Sequence, residues 1–220
     1  MSKRIKYPRT FHLPYSLTLS DDDKRLASDS IFSEMKVAVS EKMDGENTTI
    51  YSDGYIHARS LDGCKHPWQH WLKSYVQSWC YHIPTGWRVC GENLYAKHSI
   101  EYNFKKEEEF FQIFGIYNEN NECLSWIDTI KFAQKFNLCV VPTFYIGIYN
   151  KDEILRCFNQ QQDDNLMFYN NETEGFVIRN YSSFKYEDFS KNVAKYVRAN
   201  HVQTNQHWTK SWTKNSIIHN

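Results

Sequence analysis

Alternating apolar and polar residues predict a series of short β-strands along this chain. KVAVS (36–40) alternates and runs directly into the segment EKMDGEN. TTIYSDGYIHARS (48–60) has the pattern of two strands joined by a tight turn at Ser52-Asp53-Gly54. The remaining segments that the pattern predicts to be extended are 87–95, 108–118, 140–149, 175–180 and 193–198.

Helical periodicity is confined to a few segments. The stretch 67–82 predicts a helix whose aromatic and aliphatic stripe we interpret as core rather than as a ligand platform. A second helix is predicted from Ser125 to Phe136, with Ser125 as the N-cap and Asp128 at the capping-box offset. A short helix is predicted over 151–160. Many short strands with few helices favour an α+β fold over a doubly wound parallel sheet.

Composition and charge narrow the class of protein only slightly. The 220 residues suit one sizeable domain, and the 26 basic and 26 acidic residues cancel. Net charge therefore gives no argument for a nucleic-acid partner. The chain lacks the apolar stretch of a signal peptide and any run of about 18 apolar residues. Six cysteines without paired spacing predict reduced thiols in the cytoplasm, and nine histidines show no zinc spacing.

The segment Glu41-Lys42-Met43-Asp44-Gly45-Glu46-Asn47 is the first candidate for chemistry. It places Lys42 at the end of a strand, followed by a glycine that lets the backbone pass close to a ligand. A lysine amine attacks phosphorus only when it is unprotonated, so its pKa must fall from about 10.4 towards 7–8. The pattern KxDG is weak by itself, because a surface-turn lysine would look the same.

Residues that a nucleotidyl transfer requires follow this lysine in order. Such a transfer needs cations for the phosphates, carboxylates for a divalent metal and an aromatic face for the base. Each of these residues also has an ordinary structural explanation as a strand, turn or core residue. Their joint occurrence in this order strengthens the hypothesis. The residues are Arg59 in HARS, Glu92 in CGENLY, Phe114 in FFQIFGIY, Glu174 in EGFVIRN and Lys195 in VAKYVR.

The ordered set resembles the covalent nucleotidyltransferase superfamily of polynucleotide ligases and messenger-RNA capping enzymes. It is most similar to the RNA ligase 2-like branch, and the resemblance covers about 36–198. Asn47 falls where that branch carries an asparagine, which favours it over DNA ligases. The resemblance implies the ligase adenylylation fold, with mainly antiparallel sheets flanked by helices around a nucleotide cleft.

The resemblance also implies a role for each matched residue. Lys42 would become adenylylated, with Glu174 and Lys195 as its catalytic partners. Glu92 would hold the ribose hydroxyls, and Phe114 would stack on adenine. Glu174 and Glu92 would bind Mg²⁺ or Mn²⁺. The residues implied in ATP binding are Glu41, Lys42, Asn47, Arg59, Glu92, Phe114, Phe176, Lys195 and Arg198.

The chain departs from the family pattern at two positions. Gly115 replaces the aspartate that often follows the aromatic residue, and the last motif has Val197 and then Arg198 where a second lysine is common. Two further segments are candidates for contact with the nucleotide. The opening stretch 9–14 could reach over the pocket or dock as a strand, and the tail 201–208 could cover the nucleotide, touch RNA or pack as a terminal segment.

The activity that the resemblance implies is that of an ATP-dependent RNA ligase. It would seal 3′-hydroxyl and 5′-phosphate ends through lysyl-AMP and AMP-capped RNA. Its partners would be nicked or broken RNA ends, including RNA/DNA hybrids, with no membrane and no obligate protein partner. The alternatives are a DNA ligase, a GTP-using capping guanylyltransferase and a catalytically silent RNA-binding module.

The domain organisation is expected to be simple. We expect one nucleotidyltransferase domain over 1–220, with core motifs in 36–198 and a C-terminal extension in 199–220. The residues after 198 are too few for the oligonucleotide-binding barrel that DNA ligases and capping enzymes usually add.

Overall fold

The structure, a computed structural model, describes residues 3–18, 23–61, 63, 65–163, 173–199 and 212–218. Its strands are β1 Phe11–His12, β2 Lys36–Glu41, β3 Glu46–Tyr51, β4 Ile56–His57, β5 Arg88–Asn93, β6 Asn103–Phe104, β7 Phe111–Tyr117, β8 Glu122–Cys123, β9 Cys139–Val140, β10 Thr143–Ile148, β11 Gly175–Asn180, β12 Phe184–Lys185, β13 Val193–Val197 and β14 Ser216–Ile217. Its α-helices are α1 His70–Gln77, α2 Trp126–Lys135, α3 Lys151–Asp163 and α4 Phe189–Asn192. The predicted α+β class is confirmed. Within these ranges, no helix combines the length and apolarity needed to cross a bilayer.

The first sheet has the strand order β1-β13-β11-β2-β10. Strand β2 lies inside it, antiparallel to both β10 and β11. Because side chains alternate between the faces of a strand, Val37 and Val39 point to one face, where they join a core with Ile154 and Phe158 of α3. Ala38 belongs to a different core cluster on the other face. One face of the sheet therefore packs against α3, and the other face is turned towards the rest of the molecule.

The second sheet has the strand order β12-β8-β7-β5-β3-β4, with β9 paired to β7. Its back is covered by α1, whose Leu72 and Val76 are fully buried against Ile50 and Val89. The apolar stripe predicted at 67–82 is therefore core, as expected. The helix itself is shorter than that stretch, because 3-10 turns at Pro67–Gln69 and Cys80–His82 precede and follow it.

The predicted second helix is confirmed with its cap. The Ser125 hydroxyl accepts a hydrogen bond of 3.2 Å from the Asp128 backbone N–H at the start of α2. This contact satisfies one of the backbone donors that a helix leaves open at its N-terminus. The third helix, α3, begins at the predicted residue and extends three residues beyond the predicted end.

The two ends of the described chain bind to different parts of the fold. Strand β1 pairs in parallel with β13 of the first sheet. Strand β14 pairs in parallel with β6 beside the second sheet, and the buried Asn215 side chain donates to the Leu94 carbonyl at 2.7 Å and accepts from the Tyr102 N–H at 2.8 Å. The tail 201–208 lies outside the described residues.

Candidate active site

The turn Lys42–Gly45 carries the chain from the first sheet to the second. Its start is held by a 2.9 Å hydrogen bond from the Lys42 N–H to the Gly175 carbonyl. Gly45 packs so closely on β5 that a Cβ there would lie 2.6 Å from the Asn93 carbonyl oxygen. A larger residue would push the turn off the sheet, which explains the glycine of this segment.

Asp44 and Tyr102 fix the middle of the same turn. The Asp44 carboxylate accepts from the backbone N–H groups of Ser99 at 2.7 Å and Ile100 at 2.9 Å. The Asp44 N–H donates to the hydroxyl of fully buried Tyr102 at 2.8 Å. These contacts connect the backbone beside Lys42 to residues 99–102, and Asn215 binds the same segment through the Tyr102 N–H.

The Lys42 amine forms an ion pair with the Glu174 carboxylate. Glu174 precedes β11, where Gly175 has a φ of 153° and a Cβ would lie 2.0 Å from the Tyr196 carbonyl oxygen. Only glycine fits this close approach. The pairing of β11 with β2 and β13 then brings Glu174 and Lys42, which are 132 residues apart, into contact.

The electrostatic surroundings of Lys42 differ from our expectation. The attack requires the pKa of its amine to fall, and nearby cations such as Lys195 and Arg59 would act in that direction. Burial does lower the pKa, but the carboxylates of Glu174, Glu92 and Asp44 outweigh that effect and raise it above its ordinary value. The pKa of the amine is therefore raised rather than lowered, because the strongest charges acting on it are acidic.

Glu92 lies on β5 directly opposite Asn47 of β3. Its carboxylate accepts a 3.3 Å hydrogen bond from the Gly45 N–H. Burial raises the pKa of Glu92 to about 8, although the Lys42 cation opposes the shift. Glu92 therefore presents a carboxyl group to the turn that carries Lys42.

Lys195 of β13 is the second lysine of the site. Its amine donates to the Asp23 carboxylate at 3.0 Å, and the other Asp23 oxygen lies 3.2 Å from Nε2 of His12. Burial lowers the pKa of Lys195, and the nearby Lys42 cation acts in the same direction. On its other side, His12 contacts the Ser16 hydroxyl at 2.8 Å. This relay connects Lys195 to the N-terminal segment.

The Phe114 ring, on β7, packs against a second aromatic ring. The Tyr7 ring meets it edge-on at a centroid distance of 4.9 Å. Arg179 donates to the Phe114 carbonyl oxygen at 3.2 Å and lies 3.7 Å from the sulfur of Cys123. A Cβ on Gly115 would lie 3.8 Å from that same sulfur, so Arg179 stands near the position where the family often has an aspartate.

These side chains surround a cavity of about 200 Å³ between the two sheets. The structure brings seven of the candidate site residues to its wall: Glu41, Lys42, Asn47, Arg59, Glu92, Phe114 and Lys195. Glu174 contacts this group through Lys42. Arg9 and Arg59 line the cavity and are also exposed, so they mark its opening.

Two candidate residues lie elsewhere. Phe176 is fully buried behind the first sheet, with its ring stacked on Tyr196 at 4.7 Å, because strand alternation turns the next residue, Val177, towards the cavity. Arg198 is not among the described residues that line the cavity. Its Nε donates to the Thr173 carbonyl and its N–H to the Glu174 carbonyl, so it holds the start of β11 instead.

Glu41 is buried in an unusual way. Burial raises the pKa of its carboxyl group to about 8. Both carboxylate oxygens are buried, and the nearby Thr173 hydroxyl, which donates to the Gly175 carbonyl at 3.1 Å, opposes the shift in pKa. Burial therefore favours the protonated form of Glu41.

The carboxylates of the site are too few to bind a hard divalent cation by themselves, and the phosphate oxygens of a substrate would complete its ligands. The described residues contain no cluster of three or more histidine, cysteine or acidic side chains with metal-ligand geometry. Glu92 and Glu174 both act on the Lys42 amine. One or two carboxylates completed by phosphate oxygens is the usual set for Mg²⁺.

The sequence did not predict several residues that line the cavity, among them Tyr7, Asp23, Val177 and Arg179. Val177 and Arg179 belong to the EGFVIRN segment, where alternation offered a signal that could have found them. Tyr7 and Asp23 carry no such signal, because their positions depend on how the N-terminal segment crosses the fold.

The solved structures to which this chain is similar include polynucleotide ligases. An archaeal ATP-dependent RNA ligase is 20% identical, with a TM-score of 0.55 over 88% of this chain and 48% of that chain. A variant of Naegleria gruberi RNA ligase with ATP and Mn is 14% identical, with a TM-score of 0.53 over 88% and 61%. A protein from Aquifex aeolicus that is described as an ATP-dependent DNA ligase is 18% identical, with a TM-score of 0.51 over 76% of this chain and 44% of that chain.

At these identities the likeness shows the fold, which is that of ligase nucleotidyltransferase domains. The chain spans about half the length of the archaeal ligase it matches. A comparison with curated protein sequences found no match. Residues 35–197 match the family model described as RNA ligase, and the chain therefore belongs to the RNA ligase family.

Proposed function

We propose that this protein is an ATP-dependent RNA ligase that joins a 3′-hydroxyl end to a 5′-phosphate end. The observation that carries the proposal is the position of Lys42, which lies in a cavity between two carboxylates and a second lysine. A protein that only binds RNA would not need a partly buried amine paired in this way. Membership of the RNA ligase family supports the same activity.

The first step would transfer AMP to Lys42. The Lys42 nitrogen forms a bond to the α-phosphorus of ATP, the bond to the β-phosphate oxygen breaks, and pyrophosphate and one amine proton are released. Glu174, which pairs with the amine, would orient it, and Lys195, which lines the same cavity, would hold α-phosphate oxygens. Burial of Lys42 favours the neutral amine that the attack requires, whereas the carboxylates of Glu174, Glu92 and Asp44 favour the protonated one. A divalent cation held by Glu174 and Glu92 would offset that negative charge and help the amine to lose its proton.

The nucleoside would occupy the cavity. Phe114 offers a ring face for adenine, and Tyr7 braces its edge. Glu92 and Asn47, which are paired across β5 and β3, would hold the ribose. Mg²⁺ or Mn²⁺ would be held by Glu174 and Glu92 together with phosphate oxygens, where it would neutralise charge on the phosphoryl group.

The next two steps would use the same site. AMP passes from Lys42 to the 5′-phosphate of an RNA end, and the amine regains a proton. A 3′-hydroxyl oxygen then attacks the activated phosphate, releasing AMP and forming the phosphodiester bond. Nicked or broken RNA, including RNA paired with DNA, is the proposed substrate class.

Sealing assays test this function directly. The protein is incubated with ATP, Mg²⁺ or Mn²⁺ and nicked duplexes of RNA, DNA and hybrids, and the sealed product and AMP-capped intermediate are measured. We expect sealing of RNA with ATP and little with GTP. Preferred sealing of DNA nicks would indicate a DNA ligase, and GTP-dependent labelling a capping guanylyltransferase. RNA binding without a covalent nucleotide adduct would indicate a silent binding module.

A further inference from the structure

The N-terminal segment crosses the opening of the cavity as a strap, which we define as residues 4–12. At one end, Arg4 pairs with Asp53 and lies over the rings of Tyr51 and Tyr55, at 4.5 and 4.3 Å from their centroids. These contacts fasten the strap to the β3–β4 hairpin of the second sheet.

The middle of the strap is fastened by its aromatic residue. The Tyr7 ring packs edge-on against Phe114 at 4.9 Å and against Phe189 at 5.2 Å. The Tyr186 hydroxyl donates to the Lys6 carbonyl at 2.8 Å. At the far end, Phe11 and His12 pair with β13 of the first sheet. The strap therefore spans from one sheet to the other.

Between these anchors, residues 8–10 form a short bridge that lines the cavity. Arg9 is the exposed cation of this bridge, and Arg59 is an exposed cation on the wall of the same cavity. Lys42 and Lys195 lie deeper, with side chains 22% and 18% exposed. The cations thus continue from the interior of the site to its opening.

The volume of the cavity decides which part of a nucleotide must lie at that opening. Sites that enclose a drug-sized ligand typically measure about 300–1,000 Å³, whereas this cavity measures about 200 Å³. The cavity is therefore small for a whole nucleoside triphosphate. With the base on Phe114 and the α-phosphate at Lys42 and Lys195, the two outer phosphates would extend towards the opening, where Arg9 lies.

We propose that Arg9 binds the β- and γ-phosphates of the nucleoside triphosphate, and thereby holds pyrophosphate as the leaving group of the first step. This inference rests on the proposed function for the identity of the nucleotide. A planar guanidinium with several donors matches phosphate oxygens better than an ammonium does. The anchors on both sides of Arg9 reduce the entropy that such a contact would otherwise cost.

Binding measurements test this role without any need for catalysis. In a Lys42→Ala background, which prevents adduct formation, calorimetry measures the affinity for ATP, pyrophosphate and AMP in the presence of Mg²⁺. We expect Arg9→Ala to weaken ATP and pyrophosphate binding by about 10- to 100-fold and to leave AMP binding unchanged. Arg9→Lys should recover part of the loss.

The matched control is Lys6→Ala, which removes another exposed cation from the strap and leaves the backbone contact to Tyr186 in place. It should leave all three affinities unchanged. Unchanged ATP affinity in Arg9→Ala, or an equal loss for AMP, would overturn the proposal. A wild-type protein that binds ATP through Arg9 but never seals RNA would instead contradict the proposed function alone.

Discussion

Lys42 and Glu174 form an ion pair at the place where the two sheets meet, although 132 residues separate them in the chain. The turn that carries Lys42 and the glycine that follows Glu174 both approach backbone so closely that a larger residue would not fit. The pair is therefore a product of the fold rather than of local sequence. It holds the amine of a residue that lines the cavity.

Replacing Glu174 with glutamine tests this pair. Glu174→Gln keeps the size of the side chain and removes its charge, so the amine loses its carboxylate partner. We expect the rate of Lys42 adenylylation to fall by about 100-fold or more, measured by transfer of label from α-labelled ATP. Glu187→Gln, at an exposed position, is the matched control. A rate within threefold of wild type would show that Glu174 has no part in the transfer.

Tyr102 holds the backbone turn that carries Lys42, the proposed nucleophile. Tyr102→Phe would leave the Asp44 N–H without its 2.8 Å acceptor, at a cost of roughly 1–3 kcal/mol for a buried group. We expect a slower adenylylation rate at saturating ATP with little change in KM, because the turn is displaced but the pocket is intact. Tyr145→Phe, which removes a hydroxyl hydrogen-bonded to the Ile148 carbonyl, should change neither value. A change confined to thermal stability would reduce Tyr102 to a packing role.

Phe114 and Phe176 should respond differently to the same substitution. Phe114→Leu removes the proposed stacking face for adenine and should weaken ATP binding by about 10- to 100-fold, since stacking contributes ~1–3 kcal/mol per base. Phe176→Leu removes three carbons from the core and should lower the free energy of unfolding by on the order of 2 kcal/mol, with ATP affinity unchanged. Calorimetry and denaturant unfolding separate the two effects. Weaker ATP binding in Phe176→Leu, with unchanged ATP binding in Phe114→Leu, would contradict the placement of these rings.

Glu41 predicts a pH dependence of stability. The folded state holds its proton up to a pKa of about 8, above the ordinary value of 4.5. Between pH 4.5 and pH 8 the folded state therefore binds more protons than the unfolded state. The contribution of Glu41 to the free energy of unfolding is fully present below pH 4.5, and it is lost as the pH rises towards 8, by up to ~1.4 kcal/mol per pH unit.

Glu41→Gln should remove this dependence. Denaturant unfolding at pH 5 and pH 8 should show the variant gaining on wild type by on the order of 3 kcal/mol between the two values. Glu187→Gln again serves as the control and should follow wild type. Parallel pH profiles for Glu41→Gln and wild type would mean that the Glu41 carboxyl is solvated or paired.

Much of the fold and part of the site could be predicted from the sequence. Strand alternation located β2, β5, β11 and β13, and the order of the motifs indicated which ends of those strands carry polar side chains. Phe176 was expected to take part in ATP binding but lies in the core behind the first sheet, because the phase of a strand depends on its neighbours in the sheet. The acidic surroundings of Lys42 depend on contacts between distant segments, which local pattern does not reveal.

The N-terminal segment shows the same limit. The stretch 9–14 could be recognised as a candidate, but both of its alternatives are partly realised: Phe11 and His12 dock as a strand, and Arg9 lines the cavity. Asp23 lies in a stretch that is polar throughout, so nothing in its own surroundings in the sequence distinguishes it. Its contact with Lys195 exists only because β1 lies beside β13.

The central claim is that the Lys42 amine takes an adenylate from ATP. The most direct measurement is mass spectrometry of peptides from protein incubated with ATP and Mg²⁺. We predict an AMP adduct on the peptide that contains Lys42, which is absent after Lys42→Ala and removed from wild type by pyrophosphate. An adduct on another residue, or none under conditions in which ATP binds, would contradict the claim.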